Sequence, residues 1–251
     1  MLAAPPAPTL SPILEQADRL IRDRPILHNA YFTALRSGVL SRDEFLQTQI
    51  QFFFAVRFFS RPMAALMARL PDSAARLPLI HNLAEEHGAA CDEAPRDPAA
   101  ATSLFDPTRA HDRTFLAFLE SMGLPRRRVR EADESSTVRS FNLGLYGACA
   151  AEPTELAFAT LGIIEYAFAD ISAEIGRTVV ERGWVEPHDL VHYSLHAEID
   201  RRHAAEIFDS VAPAWNTGGS PQNNVLNGLK LGLHLFDRLY VDLDHDARRA
   251  G

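Results

Sequence analysis

In the stretch HAEIDRRHAAEIF, residues His196 to Phe208, three side chains have the types and spacing of metal ligands or acid–base groups. His196, Asp200 and His203 stand at positions i, i+4 and i+7, so on a helix they share one face over two turns. Flanking Ala197, Ile199, Ala204, Ala205 and Ile207 make the neighbourhood apolar. Two imidazoles and a carboxylate on such a stripe can hold a metal, exchange protons or form an ordinary wetted surface.

Glu165 is the one ionisable carboxylate in LAFATLGIIEYAFA, residues Leu156 to Ala169. An unpaired buried carboxylate costs several kcal/mol, so it must be protonated, paired or metal-bound unless its face reaches water. Glu85 and Glu86 close the helical run in LIHNLAEEHG, where acidic groups oppose the helix dipole unless a cation compensates them. Taken alone they read as solvated carboxylates. His111 starts a helix from which its ring could point into a bundle. His28, His81, His188, His192, His234 and His245 make no strong claim, although His192 lies one turn before His196 on a nearby face. Glu86, Glu165, Asp200, His111, His196 and His203 together offer oxygen and imidazole donors without thiolates, a mixture suited to iron or manganese. No Glu-x-x-His motif occurs, which argues against a ferritin-like site.

The elements that must position these groups are helical almost throughout. Ser11 with Pro12 opens a first helix to about Arg22, and Gly38 stops a second. Ser41 and Glu44 have capping-box spacing at the head of a long helix that Pro62 should kink or break. Further helices are expected over about 72–87, from His111 to Gly123, 131–150, 153–182, from Pro187 onward, and 223–242. Loops are expected at 89–107, rich in proline and small residues, and at APAWNTGGSPQ, residues 212–222. The expectation is one all-α domain of about seven main helices over 11–251, with a tail at 1–10 and a loop insertion near 89–107.

Composition narrows the class. In 251 residues, 33 acidic against 25 basic side chains give a net charge of −8, which argues against nucleic acid as a general partner. The basic run PRRRVR, residues 125–130, reads as a solvated helix start. Two cysteines, Cys91 and Cys149, make neither a disulfide scaffold nor a zinc site. No signal peptide or run of about 18 apolar residues is apparent, so a soluble cytoplasmic protein without a membrane partner is expected.

GIIEYAFADI followed by HYSLHAEIDRRHA resembles the heme-oxygenase-like diiron oxidases and oxygenases, iron-containing redox enzymes related to TenA- and PqqC-type proteins. Their mark is a Glu and, about thirty residues later, His-x-x-x-Asp-x-x-His; here Glu165 precedes His196 by 31 residues. NLAEEHG is similar to the family segment with a Glu two residues before a Gly, which selects Glu86 over Glu85. AHDRTFLAFLESMGL is similar to the segment carrying the next ligand, His111, and NNVLNGLKLGLHLFDRLYVDL to the last helix. The resemblance runs from about Phe45 onward. In relatives the first Glu and its His lie closer together than Glu86 and His111 do. That makes His87 a rival, although neighbouring helical residues point about 100° apart.

The resemblance implies a heme-oxygenase-like helical bundle holding two Fe(II)/Fe(III) ions, the second of them weakly. Glu86, His111 and a bridging Glu165 would hold one ion, and His196, Asp200 and His203 the other, with Glu165 and Asp200 at the catalytic centre. It further implies dioxygen as cosubstrate, a possible external reductant, a homodimer, and a small amino-acid-like or aliphatic substrate in a biosynthetic pathway. N-oxygenation, desaturation and carbon–carbon cleavage are the family's reactions. Phe52, Phe53, Phe58 and Phe59 in QFFFAVRFFS are candidates for a pocket wall, or plain core. The rivals are a metal-free enzyme of the same fold, like the thiaminase-type hydrolases and the cofactorless quinone-forming oxidase, and a non-catalytic metal- or partner-binding module.

Overall fold

The computed structural model describes residues 11–89 and 105–250. The expected tail at 1–10 and most of the expected insertion near 89–107 lie outside them. α1 (Pro12–Asp23) carries its proline in the first turn, where a missing N–H costs nothing. α2 (Ala30–Ser37) is capped by Asn29, whose side chain accepts from the Phe32 N–H. α3 (Arg42–Val56) opens on the anticipated capping box, Ser41 and Glu44 each satisfying the other's backbone N–H. The helix breaks before Pro62, which then sits in the first turn of α4 (Ser60–Arg69). α5 (Ser73–Glu86), α6 (His111–Ser121), α7 (Arg126–Glu131), α8 (Ser136–Ala151), α9 (Thr154–Glu181), α10 (Val191–Thr217) and α11 (Gly219–Ala250) follow.

The fold is all-α, and the described residues contain eleven α-helices rather than about seven. The surplus comes from short pieces such as α7, too brief to show an apolar period. α7 contains the basic run, mostly solvent-exposed as expected, and α8 starts at Ser136 under a Ser135 cap instead of at Glu131. The loop expected over residues 212–222 is a second correction. α10 continues through Pro213 to Thr217, and α11 begins at Gly219 and runs past 242 to Ala250. Proline disturbs one turn, but buried Val211 and the half-buried Ala212, Ala214 and Trp215 keep that turn packed on the core.

α9 is the central helix, packed along α10 and α11. Its length and composition would let it cross a membrane, yet 78% of its most apolar 18-residue window is buried inside the bundle. Below the carboxylates, a polar network fastens α10 to α3 and α2. The Tyr193 hydroxyl donates to Gln49 Oε1, and Gln49 Nε2 donates to Tyr31 Oη at 3.0 Å. Cys149 is a buried free thiol, its pKa pushed up to about 12 by burial.

Candidate metal centre

Four helices deliver the six anticipated residues to one place. α5 brings Glu86, α6 His111, α9 Glu165, and α10 His196, Asp200 and His203. Glu165, Asp200 and His203 are buried and offer ligand atoms within 4.8 Å of one another. Glu86, His111, Glu165, His196 and Asp200 line one cavity. The 24 residues between Glu86 and His111 do not separate them: Glu86 Oε1 lies 3.0 Å from His111 Nδ1. Gly88 makes this possible. It turns at φ 93°, a conformation open to glycine, while the Asp106 N–H bonds to its carbonyl at 3.0 Å. A Cβ there would fall 2.1 Å from the Asp106 carbonyl oxygen, so the two ends of the intervening segment meet only through a glycine. The rival His87 is exposed, with Nδ1 2.8 Å from the Leu83 carbonyl.

The electrostatics are those of a buried carboxylate–imidazole cluster that could hold a metal ion. His203 sits between two carboxylates, Nε2 2.8 Å from Glu85 Oε2 and Nδ1 3.6 Å from Glu165 Oε2. Burial disfavours its charge, but bonding to Glu165 and Glu85 prevails and raises its pKa to about 11. Glu165 is held low in turn, the His203 and Asn82 contacts outweighing its burial. Asn82 Nδ2 donates to Glu165 Oε1 at 2.9 Å. Burial, and then the Glu165 charge, drives Asp200 well above the usual carboxylate range. Burial and the nearby His111 charge push His196 down to about 3. His196 Nδ1 lies 2.9 Å from Asp200 Oδ1, and its Nε2 has no hydrogen-bond partner. His111 Nδ1 is set against Glu86 Oε1; burial disfavours its charge, but the Glu86 charge and bond prevail and raise its pKa. Buried polar atoms are nearly always bonded. With His196 Nε2 unpartnered and His111 Nδ1 set against Glu86, the buried carboxylate–imidazole cluster fits divalent iron, which would exchange for the protons it now carries.

Sequence reasoning missed several neighbours. Glu85, passed over in favour of Glu86, is buried and accepts from Arg202 Nη2 at 2.8 Å as well as contacting His203. It faces the side of the His203 ring away from Glu165, the arrangement that orients a ligand histidine. Its position one step from Glu86, about 100° around α5, left it legible only once α10 was placed. Asn82, three residues before Glu85, shares its face. Replacing Glu85 by alanine is expected to weaken ferrous binding by about 10- to 100-fold, measured by anaerobic titration. An unchanged affinity would remove Glu85 from the centre's support. Of the four candidate phenylalanines, Phe52 and Phe59 line the cavity, with Phe168 and Phe236 from α9 and α11. Phe53 stacks on Phe115 in the core, and Phe58 packs edge-on against Tyr146.

An all-helical bundle with a buried carboxylate–imidazole cluster between its central helices defines the heme-oxygenase-like class with a metal-competent interior. Residues 46–237 match the model of the iron-containing redox enzyme family, and the chain belongs to that family. Its fold is shared with a CADD-like protein of unknown function from Nostoc punctiforme, at 14% identity and a TM-score of 0.71, over 94% of this chain and 96% of that one. A domain of unknown function with a heme oxygenase-like fold from Shewanella denitrificans aligns at 13% identity and a TM-score of 0.66, covering 94% and 90%. A TenA homolog from Pseudomonas syringae aligns at 12% and 0.65, covering 96% and 99%. A comparison with curated proteins finds no match.

Proposed function

We propose that this chain is a soluble, cytoplasmic non-heme diiron oxidoreductase that uses dioxygen to oxidise a small, largely apolar molecule. The observation that carries it is the convergence of six ligand-type side chains from four helices, five of them lining one cavity and His203 packed against Glu165 beside it, with His196 Nε2 left without a partner. Glu86, His111 and Glu165 would hold one iron, and His196, Asp200 and His203 the other, with Glu165 shared. When bound, the two irons supply the electrons and the open positions for reducing dioxygen.

The chain's own residues do the rest. Asn82 and His203 orient the Glu165 carboxylate between the two sets of donors. Glu85, itself held by Arg202, fixes the His203 ring. Phe52, Val56, Phe59, Ile164, Phe168 and Phe236 exclude water from the cavity and offer a substrate only dispersion and apolar contact. Among the described residues no lysine or arginine lines it, which favours an aliphatic or aromatic substrate arm over a zwitterionic head at this end. The test is anaerobic ferrous titration followed by a dioxygen pulse under Mössbauer detection. Two irons bound per chain, oxidised to the ferric state as dioxygen is consumed, and both effects lost in His196→Ala, are the expected results. Iron binding without dioxygen consumption would point to a binding module. Failure to bind iron would leave a metal-free enzyme of this fold.

A further inference from the structure

We propose that His192 is a fourth imidazole ligand of this centre, binding metal through Nε2. The inference rests on the reading of the site as a metal centre and adds a donor outside the six-residue set.

Register is the first observation. His192, His196, Asp200 and His203 fall at i, i+4, i+8 and i+11 of α10, so the stripe extends one turn further toward the helix N-terminus. The ring is fully buried and lines the same cavity as Glu86, His111 and Glu165. Its centroid lies 4.3 Å from that of His196 and 6.4 Å from that of His111. The second observation is an orphan: His192 Nε2 has no hydrogen-bond partner. A histidine kept for packing alone would leave that atom desolvated and unpaired, a loss that evolution avoids by placing phenylalanine or leucine.

The third observation assigns the tautomer. Nδ1 lies 3.0 Å from Thr114 Oγ1, and the Thr114 hydroxyl donates its only proton to the His111 carbonyl at 3.0 Å. With the hydroxyl proton on that carbonyl, the Thr114 oxygen accepts from His192, an assignment that puts the ring proton on Nδ1 and the lone pair on Nε2, the atom that has no other partner. Thr114 thus does for His192 what Glu85 does for His203: it takes the outer N–H and turns the inner nitrogen toward the metal cluster. Thr114 stands one turn after His111, so α6 both carries the His111 ring and bonds the His192 ring.

The test uses cobalt(II) as the probe metal on the full chain. In the loaded protein each coordinated imidazole contributes one exchangeable N–H proton signal shifted outside the normal NMR range by the paramagnetic ion. Four such signals are expected from the wild-type protein, and His192→Gln should remove one and keep three. Three signals in the wild-type protein with cobalt bound would overturn the proposal while leaving the metal centre intact. No bound cobalt would overturn both. A second variant avoids dependence on how His192→Gln folds. Thr114→Val leaves the imidazole in place but removes the acceptor for Nδ1–H, so cobalt affinity should fall by about 10-fold or more, with recovery in Thr114→Ser. Unchanged affinity in Thr114→Val would count against the proposal.

Discussion

Replacing Glu165 by alanine is expected to abolish retention of iron at both positions, lowering ferrous affinity by more than about 100-fold, beyond what loss of an orienting neighbour causes. In the proposed centre Glu165 is the carboxylate common to both donor sets. It faces Asp200 and His203 within the tight metal-competent group and shares the cavity wall with Glu86 and His111. Without it, the two half-sites are left with one carboxylate each to balance cationic charge. The apo-fold should survive, because His203 keeps its 2.8 Å contact with Glu85 and its charge stays paired. Glu165→Gln separates charge from shape: it can still bond Asn82 but brings no negative charge, so its iron loss should approach that of alanine. Iron analysis after desalting, beside a thermal melt of the metal-free protein, checks both parts. Two irons retained by Glu165→Ala would sink the shared-ligand assignment.

The site was more legible in the sequence than the helix inventory was, and for a physical reason. His196, Asp200 and His203 are fixed by one helical period, and Glu165 betrayed itself as the lone carboxylate in an apolar run. Both signals are local. The pairing of Glu86 with His111 is not local, since it depends on a glycine turn and on closure of a segment whose length adds little to the closure entropy. Glu85 could not be separated from Glu86 by any property of α5 alone. His192 lay on the visible stripe but looked ordinary, because its distinguishing feature is the orphaned Nε2, which exists only after Thr114 has claimed the other nitrogen. The helical continuation through Pro213 was hidden for a similar reason. Proline's local preference argued for a loop, and the packing that overrides it comes from residues on other helices.

The close contact of α9 with α11 yields a further large effect, this time on stability. Gly228 and Gly232 sit one turn apart on α11 and let its backbone press on that of α9. A Cβ at 232 would lie 2.5 Å from the Thr160 carbonyl oxygen and 2.4 Å from Ile163 Cγ2, and one at 228 would lie 2.3 Å from the Leu156 carbonyl oxygen. Thr160 Oγ1 reaches across the same seam to the Gly228 carbonyl at 3.2 Å. Two forces oppose each other in Gly232→Ala. Alanine is the better helix former by about 1 kcal/mol. Forcing two backbones apart in a packed core costs about 3 kcal/mol, so the clash wins by about 2 kcal/mol. For a chain of this size that lowers Tm by roughly 4–8 °C. Gly147→Ala is the matched control, at an exposed position of α8 with nothing within 4 Å of the added carbon, and should stabilise by up to about 1 kcal/mol. The seam also bears on the metal centre. Ile163 is two residues from Glu165, so displacing α9 displaces the shared carboxylate, and Gly232→Ala should weaken iron binding as well as lower Tm. A melt at or above the wild-type temperature would show that the helices have room to spare, and the argument from close approach would fail there.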